Sequence, residues 1–359
     1  MTKEIREYFV CANAAQGFVS YFPQAMAKMD RVYILKGGPG TGKSTLMKKI
    51  GEAARKKGEI TERIYCSSDP QSLDGIVLSG RKTAVADGTA PHVLEPSAPG
   101  AVEEYVNLGV AWDSGMLAIR KKEIFSLKEQ IAKRYDRIYR LLAEGKTIHD
   151  KIEDIYIENT NFARINEIAE SLAEEIIGPG SGTGTTTDRF FGALAPKGSI
   201  NFLEALTEPI AARYFIKGRP GTGKSTLMKT IAEAARQEKI DTELYHCAFD
   251  ADSLDMVILR ERKACIFDAT APHEIFPCRE GDILIDLYQE AVRPGTDERY
   301  ASDLERLDGE YEDKIRKARG LLKEIKTLHD RLEEIYIGAV DFSIIEQITA
   351  DLMEDMGLL

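Results

Sequence analysis

GGPGTGKST, from Gly37 to Thr45, follows the short apolar run VYIL (Val32 to Leu35), and the arrangement returns as GRPGTGKST from Gly218 to Thr226. Both stretches fit the phosphate-binding pattern G-x-x-x-x-G-K-[ST]: backbone N–H groups cradle phosphates, the lysine reaches the β- and γ-phosphates, and the hydroxyl binds Mg²⁺. The candidate nucleotide-binding residues are therefore Gly37, Gly38, Gly40, Thr41, Gly42, Lys43, Ser44 and Thr45. Their counterparts are Gly218, Arg219, Gly221, Thr222, Gly223, Lys224, Ser225 and Thr226. Helical spacing follows the first loop through Leu46, Met47, Ile50 and Ala54, so strand, loop and helix come in the order this motif requires.

The two loops belong to a longer duplication. Lys43 and Lys224 lie 181 positions apart, and Cys66/Cys247, Asp69/Asp250, Asp74/Asp255, Asp87/Asp268 and His92/His273 keep that offset. Farther on, LLAEGKTIHDKIEDIYI from Leu141 matches LLKEIKTLHDRLEEIYI from Leu321 at an offset of 180. A period this long indicates a duplicated domain rather than a solenoid repeat. The stretch GPGSGTGTTT, Gly178 to Thr187, reads as a flexible connection, which gives domains 1–180 and 181–359.

Composition bounds the function. The 359 residues are 43% hydrophobic, enough for two cores, and the net charge of −11 argues against general binding to nucleic acid or anionic membranes. No apolar run approaches a membrane span and the charged start MTKEIREYF does not read as a signal peptide, so the expected location is cytoplasmic. Five cysteines form no CxxC or Cys/His zinc pattern.

Each half reads as an α/β domain with a parallel sheet. Further strands are expected at Arg63 to Cys66 and at TAVAD (Thr83 to Asp87; ACIFD, Ala264 to Asp268), with a short helix near Ser72 to Leu78. Ligands then bind beyond the carboxyl ends of the strands, where the loops after Cys66 and Asp87 should meet the phosphate loop. From about Met116 to Ile157 apolar residues recur at three- and four-residue steps, and the second copy repeats this from Leu304 to Ile335. Shorter amphipathic segments follow at Phe162 to Ile176 and Phe342 to Met353, so a long helical hairpin is expected on each domain, with Gly145 as a candidate bend in the first.

The chemistry gathers around Asp87 and Asp268. An apolar strand ending in aspartate is the Walker B arrangement, whose carboxylate holds Mg²⁺ together with Ser44 or Ser225. DGTAPH and DATAPH then place His92 and His273 just past that carboxylate, where an imidazole could orient water, donate to the γ-phosphate or bind substrate, or simply be satisfied by backbone carbonyls. The candidate catalytic set is Lys43, Asp87, His92, Lys224, Asp268 and His273. Gly88 and Ala269 stand where many ATP-driven motors carry a water-activating glutamate, which leaves Asp69/Asp250 and Asp74/Asp255 as the carboxylate candidates; helix capping competes for the first pair. Cys66 and Cys247 read as sheet packing. His149 and His329, each one turn after a lysine (Lys146, Lys326), could reach the opposite domain's nucleotide, although charged helix positions more commonly form a solvated or interhelical face.

The paired KG-x-PGTGKSTLMK loops, CSSDPQSLD with CAFDADSLD, and the two TAPH segments resemble a bacterial family of tandem P-loop ATPase-like proteins over nearly the whole chain. That resemblance implies ATP binding or hydrolysis and names no substrate residue. Arg219, in place of Gly38, occupies the position of the signature lysine in dimeric partitioning ATPases, which suggests a reach across to the first loop. The leading expectation is an Mg²⁺-dependent ATPase or nucleotide-driven switch, an intramolecular pseudo-dimer whose hairpins respond to ATP or meet a protein partner. A kinase for a small-molecule or nucleotide acceptor, with Arg134, Arg137 and Arg140 as a lid, is the alternative, and a non-hydrolysing nucleotide sensor is the third reading. Absence of an N-K-x-D motif favours ATP over GTP.

Overall fold

The structure is a computed structural model that describes residues 5–359; the first four residues of the charged start lie outside it. It is an α/β fold with two six-stranded, mostly parallel sheets. The first sheet runs, edge to edge, Ile5–Tyr8, Thr61–Tyr65, Leu73–Leu78, Thr83–Asp87, Arg31–Lys36 and Glu103–Asn107. The second repeats that order as Thr186–Arg189, Thr242–His246, Leu254–Leu259, Ala264–Asp268, Ala212–Lys217 and Asp282–Asp286. In both, the strand entering the glycine-rich loop lies between two parallel neighbours, one of them the strand ending in Asp87 or Asp268.

The expected helix near Ser72 to Leu78 is instead a strand, antiparallel to both neighbours, so the sheets are mixed. All six residues of Leu73–Leu78 are buried, as are those of Leu254–Leu259. A central strand covered on both faces buries every position of such a run. The stretch expected to be flexible is also tied down: Gly180 N–H donates to Glu238 O at 3.0 Å, Thr183 N–H to Asp241 at 3.1 Å, and Thr186 already begins a strand.

The two sheets join along their first strands. Phe9 and Phe190, equivalent residues of the two halves, exchange backbone hydrogen bonds of 2.9 and 2.8 Å. One face of both sheets then shares a single apolar core, in which Ile34, Ile64 and Ala86 of the first half meet Phe215, Met256 and Phe267 of the second. Within the joint lies a buried ionic group. Arg189 bonds Glu62 at 2.9 Å and approaches Glu243 at 3.3 Å, with its guanidinium 4.0 Å from the Tyr8 ring centroid.

The long helices, Lys121–Ile157 and Ala301–Ile337, are 37 residues each, about 55 Å at 1.5 Å per residue. Each half does not close its own hairpin. The long helices pair antiparallel with one another: Leu127 packs by Leu332, Ile138 and Leu142 by Ala318 and Leu322, and Ile152 by Leu307. Arg134 bonds Glu324 across this seam at 2.8 Å, so it braces the helix pair rather than forming a lid. The first helix runs through Gly145 without interruption. Each seam presents apolar residues every three or four positions, and two such stripes bury one another as in a coiled coil.

The helices that follow are exchanged between halves. Phe162–Ile176 places Ile165, Ala169, Leu172 and Ile176 in the core beneath Leu227, Met228 and Ile231 of the second half. Phe342–Asp355 packs Ile345 and Leu352 against Leu46, Met47 and Ile50 of the first. The crossings are stitched at Asp113 N–H to Ala339 O and Asn161 N–H to Ala291 O, both 2.8 Å. Among the described residues, no helix is long and apolar enough to cross a membrane.

Candidate functional site

Each glycine-rich loop turns from the carboxyl end of its strand into a helix that begins at Lys43 or Lys224. Gly40 and Gly42, at φ of 66° and 85°, take the left-handed backbone such a loop requires, as do Gly221 and Gly223 at 75° and 85°. Thr41 Oγ1 donates to Gly38 O at 2.8 Å and Thr222 Oγ1 to Arg219 O at 2.7 Å, which fastens the curl. Lys43 Nζ lies across the loop, donating to Gly37 O and Gly38 O at 3.1 and 2.8 Å. Lys224 does the same to Gly218 O and Arg219 O at 2.8 and 2.9 Å. Thr45 and Thr226 fall in the first helical turn.

The strand-end aspartates come where the sequence places them. Asp87 Oδ2 is 3.5 Å from Lys43 Nζ, and Asp268 Oδ2 is 3.6 Å from Lys224 Nζ. Burial raises the Asp87 carboxyl above its ordinary range, with Lys43 opposing. Ser44 Oγ accepts from Leu73 N–H at 3.0 Å and Ser225 Oγ from Leu254 N–H at 2.9 Å, so the loops beyond the second strands do share this crevice. Asp255 stands beside Asp268, and burial together with that neighbouring carboxylate pushes it up to about 7.

The histidines after the aspartates turn elsewhere. His92 is buried with Asp74 Oδ2 at 3.1 Å and Cys11 Sγ at 3.3 Å, and His273 has Asp255 at 3.9 Å. Burial disfavours charge on both rings. In His92 the Asp74 carboxylate overrides that and raises the pKa, whereas His273 stays lowered with only Asp268 opposing. Both TAPH segments carry a cis Ala–Pro bond. Cys66 and Cys247 are half-buried, and the Cys66 thiol is pushed up to about 11 by burial and then by Asp74, which disfavours a free nucleophilic thiolate. Asp69 and Asp250 accept from the second following N–H, which closes a turn rather than capping a helix, and each also meets a lysine of the other half.

Those lysines follow the less common of the two expectations for their helices, a reach to the opposite half. Lys146 Nζ lies 3.3 Å from Asp250, and Lys326 Nζ 3.4 Å from Asp69. One or two turns on, the same helices press against the opposite loops. A Cβ on Gly221 would sit 2.5 Å from Glu153 O, and one on Gly40 would sit 2.9 Å from Glu333 O. Tyr336 covers Gly38 in the same way. His149 packs against Phe249 and Tyr311 of the second half, and burial, followed by Lys146, lowers its pKa; Lys224 is among the charges acting on it. Each site is thus assembled from both halves. The one available signal was the repeated K-T-x-H-D-x-x-E pattern, which holds lysine, histidine and glutamate on one helical face.

Arg219 does not cross to the first loop. It is tied to Asp297 of its own half, with Nε 3.1 Å from the carboxylate, and Tyr156 of the first long helix donates to the same aspartate at 2.9 Å. No family model, curated protein or solved structure matches this chain.

Proposed function

We propose that the protein binds Mg²⁺-ATP at two sites and works as an ATPase or nucleotide-driven switch. The observation that carries this is the same constellation occurring twice: a left-handed glycine loop at the start of a 14-residue helix, a lysine ammonium in the loop, and an aspartate 3.5 or 3.6 Å from it. Loop amides and the helix N-terminus favour phosphate, and the lysine is placed for its terminal oxygens. The donor set suits Mg²⁺, since Ser44 with Asp87 and Ser225 with Asp268 offer hard oxygen atoms. Bound there, Mg²⁺ would neutralise developing charge on the phosphate oxygens.

The absent glutamate after Asp87 and Asp268 has a candidate substitute from the opposite half. Glu333 meets the first loop and Glu153 the second through their backbone carbonyls; burial raises the Glu153 carboxyl above its ordinary range, with Lys146 and then Lys224 of the second loop opposing, which puts this carboxyl within reach of that lysine's field. Nucleotide binding would then act on the end of a long helix that belongs to the other half. This supports a switch in which the two sites communicate through the helix pair.

Calorimetric titration of Mg-ATP into wild type, Lys43→Ala and Lys224→Ala tests the reading. Two sites should fall to one in either variant. A wild-type protein that binds no nucleotide would remove the proposal, and ADP formed only when an acceptor is added would replace the ATPase with a kinase.

A further inference from the structure

Beside the first phosphate loop, three side chains with metal-binding chemistry converge: the Cys66 thiol, the Asp74 carboxylate and the His92 imidazole. One donor atom from each lies within 4.8 Å of the other two. Asp74 and His92 are 5% and 7% exposed, so solvent does not account for their polarity. Asp74 Oδ2 comes within 3.1 Å of His92 Nε2, yet this buried oxygen has no hydrogen-bond partner. The two groups approach without the alignment a hydrogen bond needs. Imidazole and carboxylate thus stand in close contact with the Cys66 thiol beside them, three donor types gathered around one point.

The second nitrogen of His92 is also engaged. Nδ1 lies 3.3 Å from Cys11 Sγ, and the rings of Phe18 and Phe22 flank the imidazole at 5.4 and 5.7 Å. A ligating histidine usually has its other nitrogen held in this way, which fixes the direction of the donor atom.

The duplication supplies an internal comparison. Cys247, Asp255 and His273 repeat the three residues, but Gly192 occupies the position equivalent to Cys11. There His273 Nδ1 is buried without a partner and Nε2 is 3.9 Å from Asp255, against 3.1 Å between His92 and Asp74. The same three residue types are present in both halves. Only the half with Cys11 gathers them.

We propose that Cys66, Asp74 and His92 bind one transition metal ion of the zinc class, that Cys11 orients the imidazole for it, and that the second half holds none. Thiolate, imidazole and carboxylate are a zinc donor set, and three protein ligands leave the fourth tetrahedral position open. Leu73, whose N–H donates to Ser44 Oγ, directly precedes Asp74, so an ion here would be one residue from the phosphate loop. The inference does not depend on nucleotide binding.

Full-length protein, freed of metal by a chelator and then titrated with Co²⁺ without nucleotide, gives the test. One Co²⁺ per chain should appear with a thiolate-to-cobalt charge-transfer band, and Zn²⁺ should displace it. Cys66→Ser should lose the band, Cys247→Ser should keep it, and Cys11→Ala should weaken binding about 10- to 100-fold. Circular dichroism checks that each variant is folded, and Asp74→Asn, close in shape to the native residue, provides a second ligand variant. Wild-type protein that takes up no Co²⁺, or a band that survives Cys66→Ser, would overturn the proposal.

Discussion

Arg189→Met removes the guanidinium that two buried carboxylates share at the joint between the sheets. Arg189 is 7% exposed and Glu62 6%. An exposed ion pair is worth about 0–1 kcal/mol, but breaking a buried one costs about 3–5 kcal/mol because a charge is left without its partner. Glu243 would retain Arg260 at 2.7 Å, and Glu62 would retain the hydroxyls of Tyr8 and Ser79 at 2.8 and 2.6 Å. With those partners still in place, the lower end of that range, about 3 kcal/mol, is expected. Urea unfolding followed by Trp112 fluorescence and far-ultraviolet circular dichroism measures it. Arg189→Met combined with Glu62→Gln should recover about half or more of the loss, since an amide can stay buried with its hydrogen bonds and no counter-charge.

Acid gives an independent check of the same group. Burial alone would raise the Glu243 pKa, but Arg189 and then Arg260 outweigh it and pull the carboxyl from 4.5 to about 2. A depressed carboxylate contributes stability that is fully present above the unfolded pKa and is lost as pH falls through the folded one. Wild type should therefore lose stability between about pH 4.5 and pH 2, and the Arg189→Met protein should lose less. A cost below about 1 kcal/mol, the value of an exposed pair, or an acid limb unchanged by the substitution, would show that the ionic group does not hold the joint.

Asp87→Asn or Asp268→Asn should weaken the Mg²⁺ dependence of turnover more than ATP affinity, because the loop amides still hold phosphate; equal loss of both, read by calorimetry beside a coupled ADP assay, would contradict the metal role. Lys146→Ala should alter the site built on Lys224 and spare the one built on Lys43, whereas Lys326→Ala should do the reverse, which nucleotide titration in single-site Lys43→Ala and Lys224→Ala backgrounds can resolve. Leu142→Ala, a fully buried truncation in the helix seam, should cost about 2–5 kcal/mol in urea unfolding.

The loops, the strands that feed them and Asp87/Asp268 were legible because each rests on local order: an apolar strand, a glycine turn and a helix within a few residues. Leu73–Leu78 was misread because periodicity does not separate a short buried strand from a short helix, and the deciding fact, cover on both faces, is tertiary. The exchange of Phe162–Ile176 and Phe342–Asp355 was invisible for a related reason. An amphipathic stripe states that a face must be covered and leaves open which half covers it, so for Lys146 and His149 a solvated or interhelical face outweighed the reach to the opposite half that the structure shows. Arg219 was misplaced by analogy, since its partner Asp297 lies 78 positions away with no sequence mark linking them.

The pair Tyr8 and Arg189 occupies equivalent positions on either side of the Phe9–Phe190 joint, and the Arg189 guanidinium serves Glu62 and Glu243, themselves equivalent, with Arg6 of the first half farther off at 3.6 and 3.8 Å. A homodimer is bound by its symmetry to place the same residue on both sides of its axis. Two copies of the first half alone would bring tyrosine to tyrosine with no guanidinium from this position, and two copies of the second would bring arginine against arginine. Joining the copies in one chain lifts that obligation and makes the halves mutually selective: cut apart, each should prefer the other to itself.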